Sequence, residues 1–169
     1  MKIEDWPALA KKLGAIKEDG TEIGSNAIAR IAVDELIGEE FIIDAVNYYI
    51  EGGVGSEQLR HVLWSLHSPV AMKECYRVYK NDDAEERKIS AIELLRVVAD
   101  SSVVPWVKEF LQSPILGVQN WGIGIIDQLL FSGFCQYEEV SEIVELALTS
   151  SNDYVVEQAK KMEIQRKNA

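Results

Sequence analysis

The punctuation between helices constrains this chain more than any other feature. Ser68-Pro69 and Ser113-Pro114 each set a hydroxyl before a proline. In a first helical turn the proline's missing N–H is not needed and its φ is already helical. Asp83 with Glu86 reads as a capping box, and Ser25, Ser56, Ser102 and Asn152 as further N-caps. Gly14, Gly38, Gly52 and Gly133 each follow an apolar-periodic segment, where a left-handed residue closes a helix. Together these signals predict helices near 5–13, 26–37, 39–51, 57–67, 69–80, 84–99, 103–112, 115–132, 138–149 and 153–166.

Apolar spacing agrees with the punctuation. In 84–99, Ile89, Ile92, Leu95, Val98 and Ala99 fall at three- and four-residue intervals, and in 138–149 Val140, Ile143, Val144, Ala147 and Leu148 do the same. Phe41 to Ile50 is rich in residues that favour strands. The flanking glycines and the Ile42, Val46, Tyr49, Ile50 spacing tip it to helix. Gly117, Gly122 and Gly124 inside 115–132 point to close helix packing or a kink, each costing about 1 kcal/mol against alanine. The expected fold class is all-α, with nine to ten helices. At 47% hydrophobic and 27% charged, the 169 residues can bury a core, which excludes disorder.

Several classes of function fall away. The longest apolar stretches, such as Phe41 to Ile43 or Ile123 to Ile126, are far below the roughly 20 residues of a membrane span. Met1-Lys2-Ile3-Glu4-Asp5-Trp6-Pro7 carries acids and no following apolar run, so no signal peptide is expected. Cys75 and Cys135 do not form a short-spaced metal or redox pair and read as free thiols in helical cores, in a reducing cytoplasm. His61 and His67 stand six apart on different faces of one helix, where zinc ligands want a spacing of four. With no histidine base beside a nucleophile, acyl transfer has no visible machinery, and no catalytic residue, cofactor or metal is expected. Gly52-Gly53-Val54-Gly55-Ser56 invites comparison with a phosphate cradle, but lacks the lysine and follows a helix; a connection ending in a Ser56 cap fits as well.

Charge carries the functional expectation. The chain has 17 Lys and Arg against 28 Asp and Glu, a net of −11. That field repels nucleic acid and acidic membranes and attracts a basic protein. The excess is segregated: residues 18–51 hold nine acids and only Arg30, and 138–157 hold six acids and no cation, whereas 52–80 carry a net of +2. Glu40, Asp44, Asn47, Tyr48 and Glu51 recur on the helix face opposite Ile42, Val46, Tyr49 and Ile50, while Glu138, Glu142 and Glu145 lie opposite Val140, Ile143, Val144 and Leu148. Such stripes also occur as merely solvated faces that aid solubility. Tyr48 within the first stripe favours a contact role, because tyrosine is enriched at binding hot spots. The partner-binding set is therefore Asp34, Glu35, Glu40, Asp44, Asn47, Tyr48, Glu51, Glu138, Glu142 and Glu145.

The helices also come at a loose repeat. Arg30, Arg60, Arg87, Gln119 and Glu157 hold comparable places, separated by 30, 27, 32 and 38 residues. Asp83-x-x-Glu86-Arg87-x-x-Ser90-Ala91-x-x-Leu94-Leu95 resembles the first helix of a HEAT repeat, as does the start Asp153-Tyr154-Val155-Val156-Glu157-Gln158-Ala159; in one unit Trp121 replaces the usual small residue. The resemblance implies a single domain over 1–169: a cap and loop in 1–24, then antiparallel pairs over 25–166 stacked as an α-solenoid. Its polar end would be the charged segment Lys160 to Lys167, whose cations suit a helix C-terminus. A non-repeating helical bundle is the rival topology. In size, charge and architecture the chain resembles the immunity proteins of bacterial contact-dependent growth-inhibition systems. That likeness implies a cytoplasmic, monomeric inhibitor that is not an enzyme and that covers the cleft of a cognate nuclease toxin domain. A HEAT-like scaffold or adaptor without inhibitory action is the alternative.

Overall fold

The computed structural model describes residues 5–168, with side chains as far as Arg166. Met1 to Glu4 of the amino-terminal segment, and the Lys167 side chain of the basic tail, lie outside the described residues. The chain is all-helical, with ten α-helices and no β-strand among the described residues. They are α1 (Trp6–Lys12), α2 (Asn26–Ile37), α3 (Glu39–Ile50), α4 (Ser56–Leu66), α5 (Pro69–Asn81), α6 (Glu85–Val98), α7 (Val104–Leu111), α8 (Leu116–Phe131), α9 (Tyr137–Leu148) and α10 (Asp153–Asn168). A 3-10 turn, Ser101–Val103, precedes α7. Among the described residues no helix is long and apolar enough to cross a membrane.

Each helix lies where punctuation and period place it, including the strand-prone segment that became α3. Its Ile42, Ala45, Val46, Tyr49 and Ile50 are buried, so side-chain burial at helical spacing overrode β propensity. Capping is less faithful. Ser25 accepts from the Ile28 N–H at 3.5 Å, buried Ser68 from Ala71 at 3.1 Å, and Asn152 from Tyr154 at 3.1 Å, as expected of N-caps. The Asp83–Glu86 box does not form. Its neighbour Asp82 instead takes the Ala84 N–H at 3.0 Å and the Arg87 guanidinium at 2.7 Å, delaying the helix to Glu85. Ser56 is the first helical residue, behind left-handed Gly55. Ser102 does not cap α7; its own N–H and hydroxyl both donate to Asp100. Ser113 Oγ folds onto the Ile115 N–H at 3.2 Å, so α8 begins two residues beyond Pro114. Both cysteines are buried and neither is in a disulfide among the described residues, but Cys135 sits in the turn before α9 rather than in a helix. The four closing glycines all take positive φ. His67 closes α4 in the same left-handed region, at φ 44°, a place the sequence did not mark.

The chain divides into two compact units, Met1–Glu74 and Cys75–Ala169, with the boundary inside α5. In the first, α3 packs on α2 and α4. In the second, α6 lies on α8 and α8 on α7 and α10, while α9 lies on α7 and α10. That unit's core is dense: Leu94, Leu95, Phe110, Ile123, Ile125, Ile126 and Leu129 are fully buried. The α8 glycines stand at close approaches to neighbouring side chains. A Cβ on Gly122 would stand 2.8 Å from Phe110 Cβ, and one on Gly117 2.7 Å from Ile89 Cδ1. Beside this core, Tyr76 stacks on Trp106 with ring centroids 4.6 Å apart. The Tyr76 hydroxyl and the Lys80 ammonium donate to Glu109 at 2.8 and 2.7 Å.

Candidate partner-binding surface

In the first unit α3 presents the predicted stripe. Glu40, Asp44, Tyr48 and Glu51 are exposed on the side away from its buried residues. Among the described residues no cation pairs with Glu40 or Asp44. Acids elsewhere in the chain do find local partners: Glu57 with Arg60 at 2.7 Å, Asp82 with Arg87 at 2.7 Å and Glu157 with Lys161 at 2.8 Å.

Tyr48 is fixed rather than free. Its hydroxyl donates to the Val54 carbonyl at 2.9 Å and its ring lies on Gly53, where a Cβ would meet the ring at 2.3 Å. Only glycine leaves room for that approach. Three N–H groups of the same loop serve the backbone. Gly52 donates to Tyr49, Gly53 to Tyr48 and Ser56 to Gly53. The loop covers one face of the Tyr48 ring, and the residue remains 45% exposed.

Three members of the predicted set take other roles. Asp34 is not on the surface: it is 3% exposed, and its Oδ2 accepts from the Val70 N–H, at 3.3 Å, in the first turn of α5. Burial pushes its carboxyl above the usual range, with Ser68 and Val70 pulling the other way. Its Oδ1 has no hydrogen-bond partner among the described residues. A carboxyl so placed accepts from α5 and is buried away from a partner's reach. Asn47 is half-buried and turns inward, donating to Glu74 at 2.7 Å and to the Ile43 carbonyl at 2.9 Å. Glu35 is surface-exposed but bound to Lys12 at 2.8 Å.

Phe41 was missed. It is 59% exposed and stands three residues before Asp44 and seven before Tyr48, so all three share one helical face. That spacing was written in the sequence, where Phe41 reads as part of a short apolar run. The surface is therefore two aromatic rings set among carboxylates, a pairing that meets a cation with both charge and π-face.

In the second unit α9 carries Glu138, Glu142 and Glu145 on one exposed face, with Val140, Val144 and Ala147 buried behind. Glu139 is absorbed locally, accepting from the Gln136 N–H at 2.6 Å in a capping box. Glu138 stands 3.9 Å from Arg166, itself stacked over Tyr137 at 4.5 Å. A groove of about 420 Å³ beside this stripe is walled by Val104, Pro105 and Lys108 of α7 and by Glu138, Glu142 and Ile143 of α9. With Lys108 and Arg166 at its edges, the α9 stripe is the more compensated of the two.

Among the described residues no three of His, Cys, Asp and Glu converge as a metal site needs. His61 lies edge-on to Trp64 with ring centroids 6.2 Å apart. Compared with protein-family models, curated proteins and solved structures, the chain matches none of them.

Proposed function

We propose that this chain is a HEAT-like helical-repeat binding protein that neutralises a basic protein partner, a nuclease toxin domain, in the manner of an immunity protein. The observation that carries the reading is the α3 face: Glu40 and Asp44 without cations, beside exposed Phe41 and Tyr48. A nuclease cleft is cationic because it holds a phosphate backbone, and this face offers carboxylates to the same field. Long-range attraction would speed encounter, and the two rings would set the lifetime of the complex. The chain performs no chemistry of its own on this reading, and acts as a monomer in the cytoplasm. A repeat architecture is supported in the second unit by its packing, in which α6, α8 and α10 follow one another and α7 and α9 do likewise.

The test is co-expression in a host with a toxin domain encoded next to this chain's gene. Growth is expected to be rescued by the native chain and lost again with Glu40→Lys plus Asp44→Lys at an unchanged melting temperature. Binding without rescue would favour the scaffold alternative, and absence of any basic toxin partner would overturn the reading.

A further inference from the structure

Arg96 is an arginine without an acid in a chain that has acids to spare. Arg60, Arg87 and Arg166 each reach a carboxylate. The Arg96 guanidinium reaches none and makes no hydrogen bond among the described residues; its Nε is buried without a partner. What holds it is Trp121, whose ring lies 5.0 Å from the guanidinium carbon. Gly124, one turn further along α8, makes room for the stem: a Cβ there would stand 3.0 Å from Arg96 Cδ. Both Arg96 and Trp121 are half-buried.

A second donor lies on the same side of α8. Asn120 precedes Gly124 by four residues and so shares its face. The orientation of its amide follows from a chain of hydrogen bonds that starts at a backbone group. The Tyr154 N–H must donate, which fixes Asn152 Oδ1 as its acceptor at 3.1 Å. Asn152 Nδ2 then donates to Gln119 Oε1 and Asn120 Oδ1, both at 2.9 Å. Asn120 Nδ2 is left as a donor that no group accepts among the described residues. A guanidinium held on an indole and an amide N–H on the same helix therefore both stand without an acceptor among the described residues.

We propose that Arg96, Asn120 and Trp121 form a binding site for a single carboxylate of a peptide, with Arg96 as the fork and Trp121 as the apolar wall. A planar guanidinium matches a carboxylate in a two-bond geometry, and indole stacking restricts it to few orientations before the ligand arrives. The net charge of −11 turns away polyanions, so nucleic acid does not compete for this one cation. This site is separate from the α3 face and does not depend on the function proposed for it.

The experiment follows the side-chain N–H resonances of Arg96 and Trp121 in the isotope-labelled full chain during titration. The probes are N-acetylglycine, N-acetylaspartyl amide, the neutral N-acetylglycinamide and inorganic phosphate. A saturable shift of both resonances by either carboxylate, absent with the neutral amide, is expected. The two carboxylate probes tell a chain terminus from an acidic side chain. Arg96→Lys should weaken binding about tenfold or more, because an ammonium keeps the charge and loses the fork. Gly124→Ala, which crowds the arginine stem, should weaken it too while α8 stays folded. The proposal is overturned by no saturable shift, by an equal response to the neutral amide, by tighter binding of phosphate, or by full affinity in Arg96→Lys.

Discussion

The two units treat their apolar side chains in opposite ways. In Cys75–Ala169 the large residues go inward, and nine of the twelve largest fully buried side chains among the described residues are there. In Met1–Glu74 only Ile42, Leu63 and Met72 belong to that group, while ten of the fourteen large hydrophobics left exposed stand in this smaller unit. Trp6, Ile31, Leu36, Phe41, Val62 and Trp64 are among them. Apolar surface held in water contributes nothing to folding. The unit with the thinner core is also the one with the uncompensated acids of α3. The contrast separates a unit with a dense core from one that leaves most of the exposed large apolar side chains in water.

The contrast can be broken by mutation. Phe110→Ala, at a fully buried ring against Gly122, should cost about 3–5 kcal/mol in urea unfolding. If it costs no more than an exposed α3 substitution, the second unit is not the stabilising part. Gly53→Ala comes next. It must displace the Tyr48 ring and its bond to Val54, at a cost of about 1 kcal/mol, and it should reduce partner affinity as well.

Asp34→Asn should act in the other direction. Asparagine keeps an acceptor for the Val70 N–H and removes a buried charge. Because burial raises the folded carboxyl above 3.8, the folded state holds the proton more tightly than the unfolded one. The native carboxylate therefore weakens the fold at neutral pH, and the penalty fades as pH falls through the raised value toward 3.8. The variant should be more stable by about 1 kcal/mol at pH 7, with the gap closing under acid. A variant less stable at pH 7 would assign Asp34 a charge-dependent cap instead. The smallest effect belongs to Phe41→Ala, which at 59% exposure should change stability by less than about 0.5 kcal/mol. A larger loss would mean the ring supports the fold rather than the surface.

Most of the helical framework is legible in the sequence because each element is bounded by residues with one dominant local preference. Gly14, Gly52 and Gly133 take positive φ, and Pro69 opens α5 behind Ser68. Caps misread where two candidates compete. Asp82 and Asp83 are adjacent, and Arg87 settled the contest for Asp82. The acidic faces of α3 and α9 are legible because helical spacing alone sorts Glu40, Asp44 and Glu142 outward. Asp34 and Asn47 were not, because their fate depends on Val70 and Glu74, far along the chain, and no local signal says which polar residue a distant helix will claim. Arg96 over Trp121 is illegible for the same reason, since the contact joins α6 to α8 through a glycine.

The most direct measurement is the association rate of the chain with the toxin domain encoded beside its gene, taken by stopped flow across a range of ionic strengths. If α3 steers and holds a cationic cleft, the rate falls steeply with added salt, and Glu40→Lys with Asp44→Lys slows it and flattens that dependence. A rate indifferent to salt and to both reversals would contradict the reading.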